Sequence, residues 1–315
     1  MNLKPFLTYT QQIEKLKSKH LIIDDEDVAN LILKKTSYYS LISGYKEIFK
    51  EDNGLYYKSN AKFNDIYQLY RFDESLRSIF LKYILIVERS IKSLYSYAFC
   101  STIGDKQCDY MNKNNYNYKL YKDDIDDFFE ILTKKTNPKN KKNGEHKYLY
   151  HYLNKYQEVP LWVLVNTMTF GNISKMYELS LNKVQSKISV EFKYVYSNHL
   201  VSMLNVISKF RNVCAHNERL YNYRTKNSIP DFPIHKILKI PKNGAQYKYG
   251  KNDLFSIFIC LKYLLHESDF INMVANITIL MHTFENTISS DYFWAILDKM
   301  GFPKNWSEII ELNEK

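Results

Sequence analysis

The chain has 315 residues, enough to bury a core without help from disulfides or metal. It carries a formal net charge of +10, which favours polyanionic partners, nucleic acid first among them. Its four cysteines, Cys100, Cys108, Cys214 and Cys260, form no C-x-x-C pair, which argues against a disulfide framework or a zinc knuckle and for a reducing cytoplasm.

Eight glycines and seven prolines leave few breakers, and apolar residues recur at three- and four-residue spacing, so the chain reads as all-α. From the N-terminus, helices are expected around Thr10 to Ser18 and Glu26 to Lys35. Met1 to Lys15 mixes polar and apolar residues without an apolar signal core, and the longest apolar runs (Tyr83 to Val87, Leu161 to Val165) are too short to span a bilayer. The expectation is a protein neither exported nor embedded in a membrane. Lys46 to Tyr57, with Asn53-Gly54 between short apolar groups, reads as one short hairpin.

The clearest element runs from about Phe63 to Phe99. Ile66, Tyr70, Leu76, Ile79, Tyr83, Ile84, Val87, Ile91, Leu94 and Ala98 define its core face, while Arg77, Lys82 and Lys92 fall largely elsewhere; a bend is expected near Phe72-Asp73. Further helices are expected around Asp123 to Leu132, Leu161 to Glu178, Asn182 to Phe192, His199 to Ala215, Leu254 to Leu265, Ile271 to His282 and Asp291 to Lys299. Thr133 to Lys147 reads as an exposed basic loop, and Tyr223 to Lys251, with Pro230, Pro233, Pro241, Gly244 and Gly250, as a second irregular stretch. The organisation is an N-terminal helical unit (1–60), a helical core (61–225, with the basic insertion 133–147) and a C-terminal helical region (226–315) packed on that core.

Several chemistries fail on spacing. Gly244 to Gly250, followed by Lys251, has five intervening residues rather than the four of a phosphate-binding loop, and Asn252 stands where a Ser or Thr is needed. There is no G-x-S-x-G and no H-E-x-x-H. The run Asp123-Asp124-Ile125-Asp126-Asp127 fits ordinary complementation of a helix dipole, so no metal or other cofactor is expected there.

One constellation survives. From His199 an apolar stripe (Leu200, Met203, Leu204, Ile207, Phe210) gives way to Arg211, Asn212, His216, Asn217, Glu218 and Arg219. If the helix persists, Asn212, His216 and Arg219 share a face, with Arg211 on its flank. Metal-free RNA cleavage needs a base for the 2′-OH, an acid for the leaving 5′-oxygen and a cation for the phosphate. Histidine serves either proton transfer, arginine the phosphate, and asparagine orients or donates. A single His per chain completes an acid–base pair only if two protomers meet. The same residues at a helix end also cap carbonyls and pair with Glu218, so spacing alone does not decide.

The run RNVCAHNERLYN (Arg211 to Asn222) resembles the signature of the HEPN ribonuclease superfamily, and more narrowly the Abi-2 group of AbiD- and AbiF-like abortive-infection proteins. Three further runs carry the narrower resemblance: Thr36 to Tyr45 (TSYYSLISGY); Phe72 to Arg77 followed by Ile86 to Lys92; and Pro160 to Val163 followed by Phe170 to Ser174. The resemblance implies a HEPN-like helical bundle, a homodimer with a composite site, and a metal-independent endoribonuclease acting as a toxin in antiphage defence. It makes Arg211 and His216 the catalytic pair, Asn212 the polar second residue and Arg219 a supporting group. It also implies a bound structured non-coding RNA that restrains or guides the nuclease.

Candidate RNA contacts are the loop lysines Lys134, Lys135, Lys139, Lys141 and Lys142, with Tyr38, Tyr39 and Arg89; Tyr45 is weighed with them. For the tyrosines, packing of the N-terminal unit competes with base stacking, and Glu88 and Arg89 reach the site or form a structural ion pair. Trp162 is expected in the core; His146, His151, His235 and His266 have no partner pattern. The alternative function is a non-catalytic holder of structured RNA, which would bind with salt sensitivity after His216→Ala and never turn over. A third is a protein-interaction or nucleotide-transferring relative, which would leave RNA modified but uncut.

Overall fold

The computed structural model describes residues 5–137, 139 and 146–310. The chain starts with α1 (Tyr9–Lys17), entered through a capping box in which Thr8 and Gln11 satisfy each other's backbone N–H groups, and α2 (Glu26–Thr36), capped by Asp25. Ser37 then takes φ 62° and ψ 149°, a backbone conformation that L side chains rarely adopt, and leads into a five-residue π-turn, Tyr39–Ser43. The expected hairpin at 46–57 is reduced to a 3₁₀ turn (Glu47–Phe49) and a single antiparallel bridge, Lys50 to Tyr57, around the Asn53-Gly54 turn.

The spine is α3 (Phe63–Thr102), forty residues of continuous helix. Its apolar positions return every three to four residues, and Ile66, Leu69, Leu76, Phe80, Ile84, Val87 and Ile91 are fully buried. Each such side chain contributes roughly 1.5–3 kcal/mol of burial energy. Arg77, expected away from the core face, is instead buried, because Asp73 one turn earlier pairs with it.

Next come α4 (Gln107–Tyr110), α5 (Lys122–Thr136), α6 (Lys147–Lys155), α7 (Leu161–Leu164), α8 (Phe170–Leu179) and α9 (Asn182–Ser189). The expected single helix over 161–178 is two: a 3₁₀ turn (Val165–Thr167) ends the first, and Thr169 caps the second by accepting from the Asn172 N–H at 3.2 Å. Trp162, expected in the core, is 48% exposed on α7. The basic stretch is helical through Thr136 rather than a loop from Thr133.

Helix α10 (Ser197–Ala215) lies against α3, α8 and α9 with Leu200, Met203, Leu204, Val206, Ile207 and Phe210 fully buried. Beyond it, the irregular stretch contains α11 (Pro233–Ile237) and a two-residue hairpin of β1 (Lys242–Asn243) and β2 (Gln246–Tyr247). Helices α12 (Leu254–Leu264), α13 (Glu267–Glu285) and α14 (Ser290–Met300) close the chain; α12 packs on α10, and α13 runs along α3. Among the described residues no helix is long and apolar enough to cross a membrane.

Candidate active site at the C-terminal end of α10

Helix α10 stops where its residues change from apolar to polar. His216 is the last residue held by the helical pattern, its N–H bonded to the Asn212 carbonyl at 2.9 Å. Asn217 then turns left-handed, φ 58°, and the Glu218 N–H returns to the Val213 carbonyl at 3.1 Å. This is the six-to-one closure of a Schellman end, with asparagine in the place usually taken by glycine. The helix therefore does not persist to Arg219, and Arg219 does not share a face with Asn212 and His216. It turns back to donate from Nη1 to the Gly44 carbonyl at 2.6 Å.

What fixes this turn is a buried ion pair on α3. Asp73 is fully buried and accepts four hydrogen bonds: from Tyr45 Oη (2.7 Å), Arg77 Nη1 (2.7 Å), the Leu220 N–H (3.1 Å) and the Tyr221 N–H (2.7 Å). Arg77 Nη1 also reaches the Glu218 carbonyl at 3.3 Å. A buried carboxylate is tolerable only with this degree of satisfaction. The expected packing role of Tyr45 is realised here, against Tyr70 and Tyr221.

One helical turn before its end, α10 meets α3 again. Arg211 Nε lies 3.4 Å from Glu88 Oε2, and Lys92 Nζ donates to the other oxygen of Glu88 at 2.8 Å. Glu88 and Lys92 are largely buried, while Arg211 remains 28% exposed at its side chain. Lys135, at the end of α5, donates to the Thr167 carbonyl at 2.7 Å, and its pKa is lowered by burial and by the nearby charge of Lys92. Two cations thus hold one carboxylate, with Lys135 close to Lys92, leaving the cluster positive. Among the described residues no hydrogen bond or ion pair engages the terminal Nη groups of Arg211, nor the side chains of Asn212 and His216, which are exposed.

Helical geometry sets the reach of these groups. Asn212 and His216 are one turn apart on one face, but Arg211 sits about 7.5 Å along the axis and about 140° around from His216. Neighbouring Cys214 is buried, which pushes its thiol up to about 12 and keeps it unreactive.

Of the other candidates, Arg89 is exposed beside Glu88, Tyr38 is half-buried with its hydroxyl pKa raised by burial, and Tyr39 is 82% exposed on the π-turn. Lys134 pairs with Glu130 at 3.3 Å, and the Lys139 N–H bonds to Asn137 Oδ1; Lys141 and Lys142 lie outside the described residues. The structure brings Arg211, Glu88, Lys92 and Lys135 together and anchors Arg219 at Gly44. Among the described residues no hydrogen bond or ion pair joins Lys139 or Tyr39 to this group. Sequence reading missed Lys92 and the roles of Asp73 and Arg77. The signal was there: Asp73/Arg77 and Glu88/Lys92 are both acid–base pairs four residues apart inside an apolar helix.

The segments that converge here are Gly44-Tyr45, Asp73 to Arg77, Glu88 to Lys92 and Arg211 to Tyr221. The chain belongs to the Abi-like protein family, whose sequence model matches residues 31–222, a span that contains every one of these segments. Membership points to a role in abortive infection. No curated protein and no solved structure matches the chain.

Proposed function

We propose that the protein is a metal-independent endoribonuclease toxin of an abortive-infection system, working at the α10 end. The observation that carries this reading is the contrast in satisfaction. Three separate segments hold the helix end, yet Asn212, His216 and the Nη edge of Arg211 are left without partners among the described residues. A structural cluster would use its own donors and acceptors; a catalytic one keeps them for substrate.

In this reading Glu88 holds the Nε edge of Arg211 and turns its Nη groups toward a phosphate, while Lys92 balances the carboxylate so that the arginine stays available. His216 moves the proton. As base it takes the 2′-OH proton; the oxygen attacks phosphorus, the 5′-oxygen leaves and is protonated, and a 2′,3′-cyclic phosphate and a 5′-OH result. Because Arg211 and His216 lie on different sides of one helix, a second protomer supplies the complementary groups at a composite site. This matches the HEPN-type arrangement that the motif resembles. Arg219 supports the site by tying its turn to Gly44, and the +10 charge serves RNA, as substrate and as a bound non-coding regulator.

The test is cleavage of RNA by full-length His216→Ala and Arg211→Ala, each checked for native helicity by circular dichroism. Both are exposed or half-exposed positions, so both variants should fold, and both should lose cleavage by about a hundred-fold or more. Wild-type rates in the two variants would overturn the assignment. Salt-sensitive RNA binding with no turnover by the wild type would instead favour the non-catalytic holder.

A further inference from the structure

At the far end of α10 the surface has a different character. Tyr97 on α3 and Tyr196 just before α10 are each 70% exposed, and Val190 and Tyr194 are exposed in the connection from α9 to α10. Large aromatic rings normally retire from solvent, and an exposed group of them marks a contact surface. Two of them carry a cation: Lys187 Nζ sits 5.4 Å from the Tyr97 ring centre and donates to Ser101 Oγ at 2.8 Å, and Lys193 Nζ sits 5.0 Å from the ring of Tyr194; Tyr196 instead meets the ring of His199 edge-on. Tyr194 is held at φ 65°, a left-handed conformation costly for a side chain of this size, which the fold retains where the connection turns. Beside it opens a cleft of about 780 Å³ whose lining includes Leu94, Phe192, Tyr194, Tyr263 and His266.

We infer that this end of the molecule is a second RNA-binding site: a stacking platform for unpaired bases of a single strand, with Lys187 and Lys193 on its phosphates. The inference rests on the nuclease reading only for the identity of the nucleic acid. Aromatic faces interleaved with lysines bind single strands of any sequence, because every base has a face to stack and every nucleotide a phosphate. A duplex hides those faces. Glu191 and Glu267 also line the cleft, so phosphates track the lysines while the carboxylates accept from exocyclic amines of an inserted base. Helix α10, nineteen residues long, separates the platform from His216 by about 28 Å. A strand of more than a few nucleotides can therefore touch both.

The experiment uses the full-length His216→Ala protein and a fluorescein-labelled single-stranded oligoadenylate of about 20 nucleotides, with a duplex of the same length as control, read by anisotropy. Adding Tyr97→Ala and Tyr196→Ala should weaken single-strand binding by about ten-fold or more and leave duplex binding within about two-fold, whereas Tyr97→Phe and Tyr196→Phe should retain it. Unchanged single-strand binding in the alanine variants would overturn the platform, including the case in which the tyrosines serve a protein contact. Equal losses for strand and duplex would overturn it too, by showing a charge effect without stacking. Failure of the nuclease reading is separable: a wild-type protein that binds through the tyrosines but cuts nothing keeps the platform and loses the nuclease.

Discussion

Asp73 and Glu88 occupy similar positions, both acids on the buried side of α3 with a base one turn later, yet they do different work. Asp73 gives all its capacity to protein donors, so Asp73→Ala should leave Arg77 buried without a counter-charge and two backbone N–H groups without an acceptor. The expected cost is about 3–5 kcal/mol of unfolding free energy, measured in urea. Glu88 gives its oxygens to two cations that border solvent. Glu88→Gln keeps the shape and an acceptor, so stability should fall by only about 1–2 kcal/mol while RNA cleavage falls about ten-fold through a misdirected Arg211. A stability loss as large as that of Asp73→Ala, or cleavage unchanged, would make Glu88 structural only.

At the scale of elements, α3 and α10 were legible because long helices repeat their apolar signal many times, and a single intruder such as Arg77 cannot erase it. Their ends were not. That Arg219 leaves the helical face depends on Asn217 turning left-handed and on backbone donors meeting Asp73 some 150 positions away in the chain, which no local pattern carries. The break between α7 and α8 was readable in hindsight from Thr169, a good cap, but the apolar run on either side outweighed it. The Arg211 to His216 cluster was found because a motif names it; its partner Lys92 was lost because a lysine on a helix defaults to solvent. Helix α14 ends as α10 does, with Gly301 at φ 79° and the Phe302 N–H on the Leu297 carbonyl at 3.0 Å. A Cβ at Gly301 would come 2.3 Å from Asp253 Oδ2, so Gly301→Ala should cost about 2 kcal/mol or more in thermal or urea unfolding. A stable Gly301→Ala protein would mean that the α14 end moves freely against α12.

Across the whole molecule, the C-terminal helices are tied to the core partly through Asp253, which caps α12, accepts from the Gly250 and Ser256 N–H groups and faces Arg224 at 3.3 Å. Burial pushes its carboxyl up to about 6, against the pull of Arg224 and the backbone donors. The unfolded chain releases this proton near pH 4 and the folded one near pH 6, so over that window the folded state binds more protons and stability falls as pH rises, by up to about 3 kcal/mol. Urea titrations of Asp253→Asn should show this part of the slope removed; an identical slope would assign the pH dependence elsewhere. The proposed endoribonuclease would use the +10 charge and the anchored α10 end in one activity on RNA. The most direct test is incubation of the purified wild-type protein with RNA in excess EDTA, with mapping of the fragment ends. A metal-independent nuclease at the α10 end will leave 2′,3′-cyclic phosphate and 5′-OH termini; intact RNA, or fragments bearing 5′-phosphates that appear only with added divalent metal, would contradict that assignment.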